Sequence, residues 1–226
     1  MTDIQSFQSY HIGSEIKLTH HQNCQLVECF EKPILTAEGV LSGRAAISKI
    51  QLKDIGPAVV KSYTRGGVIR HFNRQTYLKF SRYRCQSEYE LLLFLNRLGI
   101  SVPQPIAFGY QGNIFYHAWL ITHEILNSRT LAKFSKTNPE RIRPIINKLT
   151  RQLDILIENQ IHHVDLHPGN VLVDNQDNLF IIDFDKARTT PQNRQKLKKK
   201  YLHRWQRAVL KYQLPAELNL IEDLLK

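Results

Sequence analysis

Cysteine is scarce in this chain of 226 residues. Cys24, Cys29 and Cys85 give an odd count with no Cys-x-x-Cys pair. That argues against a disulfide framework and against a zinc site, so a reducing compartment is expected. Long apolar runs are missing too. No stretch approaches the roughly 18 residues of a membrane-crossing helix, and the polar start Met1-Thr-Asp-Ile-Gln has no signal-peptide core. The chain is therefore expected to be neither exported nor integral to a membrane. Acidic residues are the third shortage: 20 Asp plus Glu stand against 31 Lys plus Arg, a formal charge of +11. Such an excess favours an anionic partner, and nucleic acid, anionic lipid and a phosphorylated substrate all satisfy charge alone. The hydrophobic content of 42% and charged content of 23% are globular values, and the length suits one large domain or two small lobes.

What is present concentrates in His163-Val-Asp-Leu-His-Pro-Gly-Asn170 and, after a short interval, Phe180-Ile-Ile-Asp183-Phe184-Asp185. An Asp with an Asn five residues on, then an apolar strand closing on Asp and Phe, is how kinases arrange a catalytic loop and a metal-binding loop. Phosphoryl transfer spreads negative charge over the moving oxygens, so the protein mainly places a hydroxyl, holds divalent cations and neutralises charge. Asp165 would accept a hydrogen bond from the attacking hydroxyl and take its proton. Asn170 and Asp183 would offer Mg²⁺ the hard oxygen ligands it prefers. Taken singly, each has an ordinary explanation as a turn former, a cap or a strand end. Together they do not: Val171-Leu-Val, the turn Asp174-Asn-Gln-Asp-Asn178 and Leu179-Phe-Ile-Ile182 form a hairpin that returns Asn170 and Asp183 to one end.

The remaining candidates fall along the chain before this stretch. Residues 1 to about 33 carry no strong period, and His20, His21, Cys24 and Cys29 match no usual zinc spacing. Strands are expected at Ile34-Leu-Thr, Ala45–Leu52 and Pro57–Tyr63, with a glycine turn holding Gly39 and Gly43 that would cover nucleotide phosphates. Lys61, in Ala-Val-Val-Lys, has the setting of the kinase lysine that reaches the α and β phosphates. Arg82 to Leu98 reads as an amphipathic helix ended by Gly99, with Glu88 on its inward stripe. A buried acid there wants a cation, and Lys61 is preferred as Glu88's partner over any pairing with Glu90. The segment Ala118 to Ile125, containing Glu124, is placed as an inter-lobe hinge whose backbone would bond adenine. Asn138-Pro139 would cap a long helix with Ile142, Ile145, Ile146, Leu149, Leu153 and Leu156 on its buried stripe. His163 and His167 invite a metal reading, but a scaffold role for His163 with its ring bonded to nearby backbone is preferred. After Asp185 comes a basic amphipathic helix with Leu197, Tyr201, Trp205, Ala208, Val209 and Tyr212 as its apolar stripe.

Over roughly residues 38 to 212 these features resemble the bacterial lipopolysaccharide core kinase family, most closely its 3-deoxy-D-manno-octulosonic acid (Kdo) kinases. Arg65-Gly-Gly67 after the lysine strand and Asp183-Phe-Asp-Lys-Ala-Arg188 carry the finer resemblance. It implies an α+β, protein-kinase-like bilobal fold, with a small β-rich lobe with one helix at residues 1–125 and a mainly helical lobe at 126–226. It also implies ATP and Mg²⁺ as cofactors and the 4-hydroxyl of Kdo on lipid A as acceptor. In this scheme Asp165 is the base, Asn170 and Asp183 hold metal, and Lys61, Glu88, Gly43 and Glu124 bind ATP. Arg65, Arg70, Lys186 and Arg188 meet the acceptor. The expected location is the cytoplasmic face of the inner membrane of a Gram-negative bacterium, bound peripherally, with no nucleic-acid partner. No Ala-Pro-Glu motif follows Arg188, which argues against control by activation-loop phosphorylation. A small atypical protein kinase of the Bud32 or RIO type is the alternative.

Overall fold

The computed structural model describes residues 2–33, 46–63, 77–78, 82–113, 115–191, 193–219 and 221. The chain divides into two compact units, Met1–Leu93 with Gln104–Glu124, and Phe94–Pro103 with Ile125–Lys226. The first part of the chain is rich in β-sheet and the later part in helix.

In the first unit, strands β1 (Asp3–Phe7), β2 (Tyr10–Ser14), β3 (Ala46–Leu52), β4 (Gly56–Ser62), β5 (Tyr77–Leu78), β6 (Pro105–Gly112) and β7 (Phe115–His123) form one sheet. Its order is β1-β2-β6-β7-β4-β3, with β5 paired to β7. On β4 the period of two is plain: Ala58 and Val60 are buried in the core, and Lys61 points to the other face. Helix α1 (His20–Glu31) covers the core side and stacks Phe30 on Trp119 of β7, with centroids 4.4 Å apart. The sequence reading finds no element before residue 33, and the structure corrects it with β1, β2 and α1. Side chains on β1 are mostly exposed, so no apolar alternation marks that strand. In α1 the inward face includes polar Gln22, whose Nε2 donates to the Lys53 carbonyl at 2.7 Å. A Thr19–Gln22 capping box starts that helix.

Helix α2 (Arg84–Arg97) runs from the first unit into the second. Gly99, at φ +78°, ends it: its amide bonds the Asn96 carbonyl and the Ile100 amide bonds that of Leu95, the paired pattern of a left-handed glycine cap.

In the second unit, the Thr130 hydroxyl caps helix α3 (Leu131–Thr137), directly after the short strand β8 (Arg129–Thr130). A single 3₁₀ turn, Pro139–Arg141, leads into α4 (Ile142–Glu158). Asn138 does not cap it as the sequence suggests; its side-chain oxygen accepts from the Thr137 hydroxyl instead. The α4 stripe is as read: Ile142, Ile145, Ile146, Leu149, Leu153 and Leu156 are fully buried. Then follow β9 (Ile161–His162), a 3₁₀ turn at Pro168–Asn170, the hairpin β10 (Val171–Val173) and β11 (Leu179–Ile181), β12 (Arg188–Thr189) and α5 (Arg194–Lys211). Strand β10 pairs with both β11 and β8, and β12 pairs with β9.

Candidate functional site

In the first unit the structure brings Lys61 and Glu88 together. Lys61 reaches from β4 to both carboxylate oxygens of Glu88, at 3.1 and 3.0 Å, and the Tyr63 hydroxyl donates to the same carboxylate. Glu88 is 3% exposed. A carboxylate so deep is tolerated because three hydrogen bonds replace its water. Glu90 turns away and takes Arg82 and Gln86. Glu124 spends its amide on the Pro57 carbonyl and its side chain on Lys49, at 2.8 Å, so its carbonyl is the backbone group left to the sequence reading. Gly43, Arg65 and Arg70 lie outside the described residues.

In the second unit the segment after α4 is pinned at several points. The Tyr201 hydroxyl, from α5, donates to the Ile161 carbonyl at 2.8 Å and accepts from the His163 amide at 2.9 Å. The His163 ring donates through Nε2 to the Ile182 carbonyl at 2.9 Å, which leaves Nδ1 as a buried acceptor without a partner among the described residues, and Phe184 packs edge-on against the ring. Burial pushes the His163 imidazole below its ordinary pKa. His167 Nδ1 accepts from the Gly169 amide, and burial, helped by the Arg204 charge, pushes that ring down to about 4. Both rings are bonded to backbone, and burial disfavours their charged forms. Among the described residues no three His, Cys, Asp or Glu side chains are grouped to hold a metal.

Asp165 sits on this pinned loop. Lys186 donates to its Oδ2 at 2.8 Å, and Arg204 of α5 places Nε 3.7 Å from its Oδ1. Burial pushes the Asp165 carboxyl up, but the hydrogen bond and charge of Lys186 and the charge of Arg204 outweigh it and hold the group below its usual range. Asn170 donates through Nδ2 to the Asp165 backbone carbonyl at 3.0 Å, which ties the two ends of the loop and leaves Oδ1 as the amide's ligating atom.

The hairpin has Val171 opposite Ile181, and the Ile182 amide donates to the Asn170 carbonyl at 3.0 Å, so Asn170 and Asp183 stand at the same end. Asp183 has a left-handed backbone, φ +67°, which turns the chain away from the strand at that residue. One carboxylate and one amide oxygen suit Mg²⁺, which takes few protein ligands and fills its shell with water and phosphate. The donor set fits that ion.

Two placements add to those read in the sequence. Lys186, given to the acceptor, rests on Asp165, whereas Arg188 is exposed in β12. Arg204, read only as part of a basic helix, is beside Asp165.

A family model described as the lipopolysaccharide kinase (Kdo/WaaP) family matches residues 41–220. Proteins named 3-deoxy-D-manno-octulosonic acid kinase are similar over much of the chain. The one from Vibrio parahaemolyticus serotype O3:K6 (strain RIMD 2210633) is 31% identical over 207 residues, 86% of this chain and 85% of that protein. That of Pasteurella multocida (strain Pm70) is 31% identical over 206 residues, 84% and 82% of the two chains. The Vibrio cholerae serotype O1 (strain ATCC 39315 / El Tor Inaba N16961) protein is 30% identical over 152 residues, 66% and 64%. These matches define a phosphotransferase with an alcohol acceptor. The chain belongs to the lipopolysaccharide kinase (Kdo/WaaP) family, and the atypical protein-kinase alternative is not favoured.

Proposed function

We propose that this enzyme transfers the γ-phosphoryl group of ATP to the 4-hydroxyl of a Kdo residue carried on lipid A. The observation that carries the reading is the Asp165 carboxylate, fixed on a loop whose ends are tied by Asn170 and whose far side is the Asp183 hairpin. Asp165 accepts a hydrogen bond from the acceptor hydroxyl and takes its proton as the new oxygen–phosphorus bond forms and the bond to ADP breaks. When bound, magnesium neutralises phosphate charge; Asn170 Oδ1 and the Asp183 carboxylate are the groups that would hold it. Lys61, oriented by Glu88, meets the α and β phosphates, the Glu124 carbonyl meets adenine, and Gly43 belongs to the turn over the phosphates. Arg65, Arg70, Lys186 and Arg188 serve anionic groups of the acceptor.

The chain is read as the two lobes of a protein-kinase-like fold, residues 1–125 and 126–226, with Phe94–Pro103 grouping with the second unit. The basic face of α5 supports peripheral binding to the cytoplasmic side of the inner membrane. No helix among the described residues is long and apolar enough to cross a membrane.

Purified protein given γ-labelled ATP should label Kdo–lipid A and neither itself nor added protein. Asp165→Ala should lower turnover by about 10²-fold or more, as loss of a positioned base does. Label appearing on protein instead, or near wild-type turnover in the variant, overturns the reading.

A further inference from the structure

The Asp165 carboxylate has two cations beside it, Lys186 and Arg204, and the Asp183 carboxylate also acts on it. Lys186 already compensates it through a direct hydrogen bond at 2.8 Å. Arg204 adds a second cation whose nearest approach, 3.7 Å from Nε, is too long for a hydrogen bond. Among the described residues its guanidinium makes no hydrogen bond at all, although its side chain is only 30% exposed. A half-buried guanidinium with an idle fork of donors is an unusual expense unless an anion arrives from outside. The helix position that carries it is well anchored. Arg204 lies between Tyr201 and Trp205, both buried, and Tyr201 bonds the segment that bears Asp165. The helix turn that carries Arg204 is therefore anchored to the loop that carries the base, with the guanidinium 3.7 Å from Asp165 Oδ1.

We propose that Arg204 binds a carboxylate of the acceptor sugar while Asp165 receives its hydroxyl, so that α5 selects acidic sugars over neutral ones. This rests on reading Asp165 as the base. The acceptor in that reading is an octulosonic acid and carries the required group. A planar carboxylate matches the guanidinium fork with two parallel hydrogen bonds, a match that a lysine cannot reproduce. A lone hydroxyl contact at Asp165 would not distinguish one sugar from another; an acid group gripped nearby fixes which hydroxyl is presented.

The test compares Kdo–lipid A in detergent micelles with the same acceptor after its Kdo carboxyl is converted to the methyl ester, using wild type, Arg204→Gln and Arg204→Lys. Wild type should favour the acid in kcat/KM. In Arg204→Gln the acceptor KM for the acid should rise by about 10–100-fold, the range for losing hydrogen bonds to a charged group. Its KM for ATP should stay unchanged and its preference for acid over ester should vanish; Arg204→Lys should fall between. Equal rates of wild type on acid and ester overturn the proposal without needing any variant. It is also overturned if Arg204→Gln loses activity equally on both acceptors, which marks a residue that only positions Asp165, or if its KM for ATP rises, which assigns the guanidinium to nucleotide phosphate. Wild type that phosphorylates neither acceptor would instead sink the proposed function, and this inference with it.

Discussion

Burial disfavours the charged form of three histidines near the base, and this makes the fold sensitive to acid. Burial lowers the pKa of His162, assisted by the charges of Lys200 and Arg188; burial also lowers His163, and pushes His167 down to about 4. In the unfolded chain the same rings take protons near their ordinary value of about 6.5. Between about 6.5 and about 4 the unfolded state therefore binds more protons, and stability rises with pH across that window and falls as pH drops through it. Urea midpoints should decline steadily from pH 7 to pH 5, and His162→Phe should show a shallower decline. An identical slope in the variant would remove His162 from the effect. At this scale the sequence discloses a good deal: Lys61 and Glu88 are found as partners because an acid on an inward helix stripe demands a cation. It does not disclose Arg204. Helical spacing sets that residue beside Tyr201 and Trp205, but which loop α5 packs against is decided by tertiary contacts that no local pattern encodes.

Among elements, α5 acts as a clasp on the segment after α4. Its Tyr201 hydroxyl serves one donor and one acceptor of that segment, both in buried surroundings. Tyr201→Phe leaves the His163 amide and Ile161 carbonyl without that partner, a cost of about 1–3 kcal/mol. For a chain of this size that corresponds to a fall in Tm of several degrees, since each kcal/mol shifts it by roughly 2–4 °C. Turnover should drop as well, because Asp165 is two residues from the freed amide; a variant with lowered Tm and undiminished kcat would show that the clasp supports stability alone. Elements with a clean period were readable, α4 above all, since every member of its apolar stripe is buried. Those that were missed lack such a stripe: β1 is largely exposed, and α1 turns Gln22 and Asn23 inward. The Thr19-x-x-Gln22 box was the available sign of a helix start. The cap expected at Asn138 failed because the chain inserts a 3₁₀ turn there before α4 begins.

For the molecule as a whole, the +11 charge is not all available to a partner. Arg194 at the start of α5 is taken by Asp154 and Glu158, while Lys199 and Lys200 are exposed further along. Replacing Lys198, Lys199 and Lys200 with Glu should weaken binding to vesicles containing phosphatidylglycerol by about 1 kcal/mol or more per residue at low salt. The deficit should shrink as salt is raised. Binding unchanged at low salt would return this run to a merely hydrated face.

The path of the chain carries a consequence of its own. Phe94–Pro103 belongs to the second unit although the segments on both sides belong to the first. Ser101 gives its carbonyl to the Ile181 amide of β11 and exchanges two hydrogen bonds with Gln152 of α4. A polypeptide beginning at residue 126 would lack that splint, and its hairpin would be left with an orphaned amide. A single cut near residue 125 would not follow the boundary between the two units, because it would part Phe94–Pro103 from the hairpin and helix that it bonds.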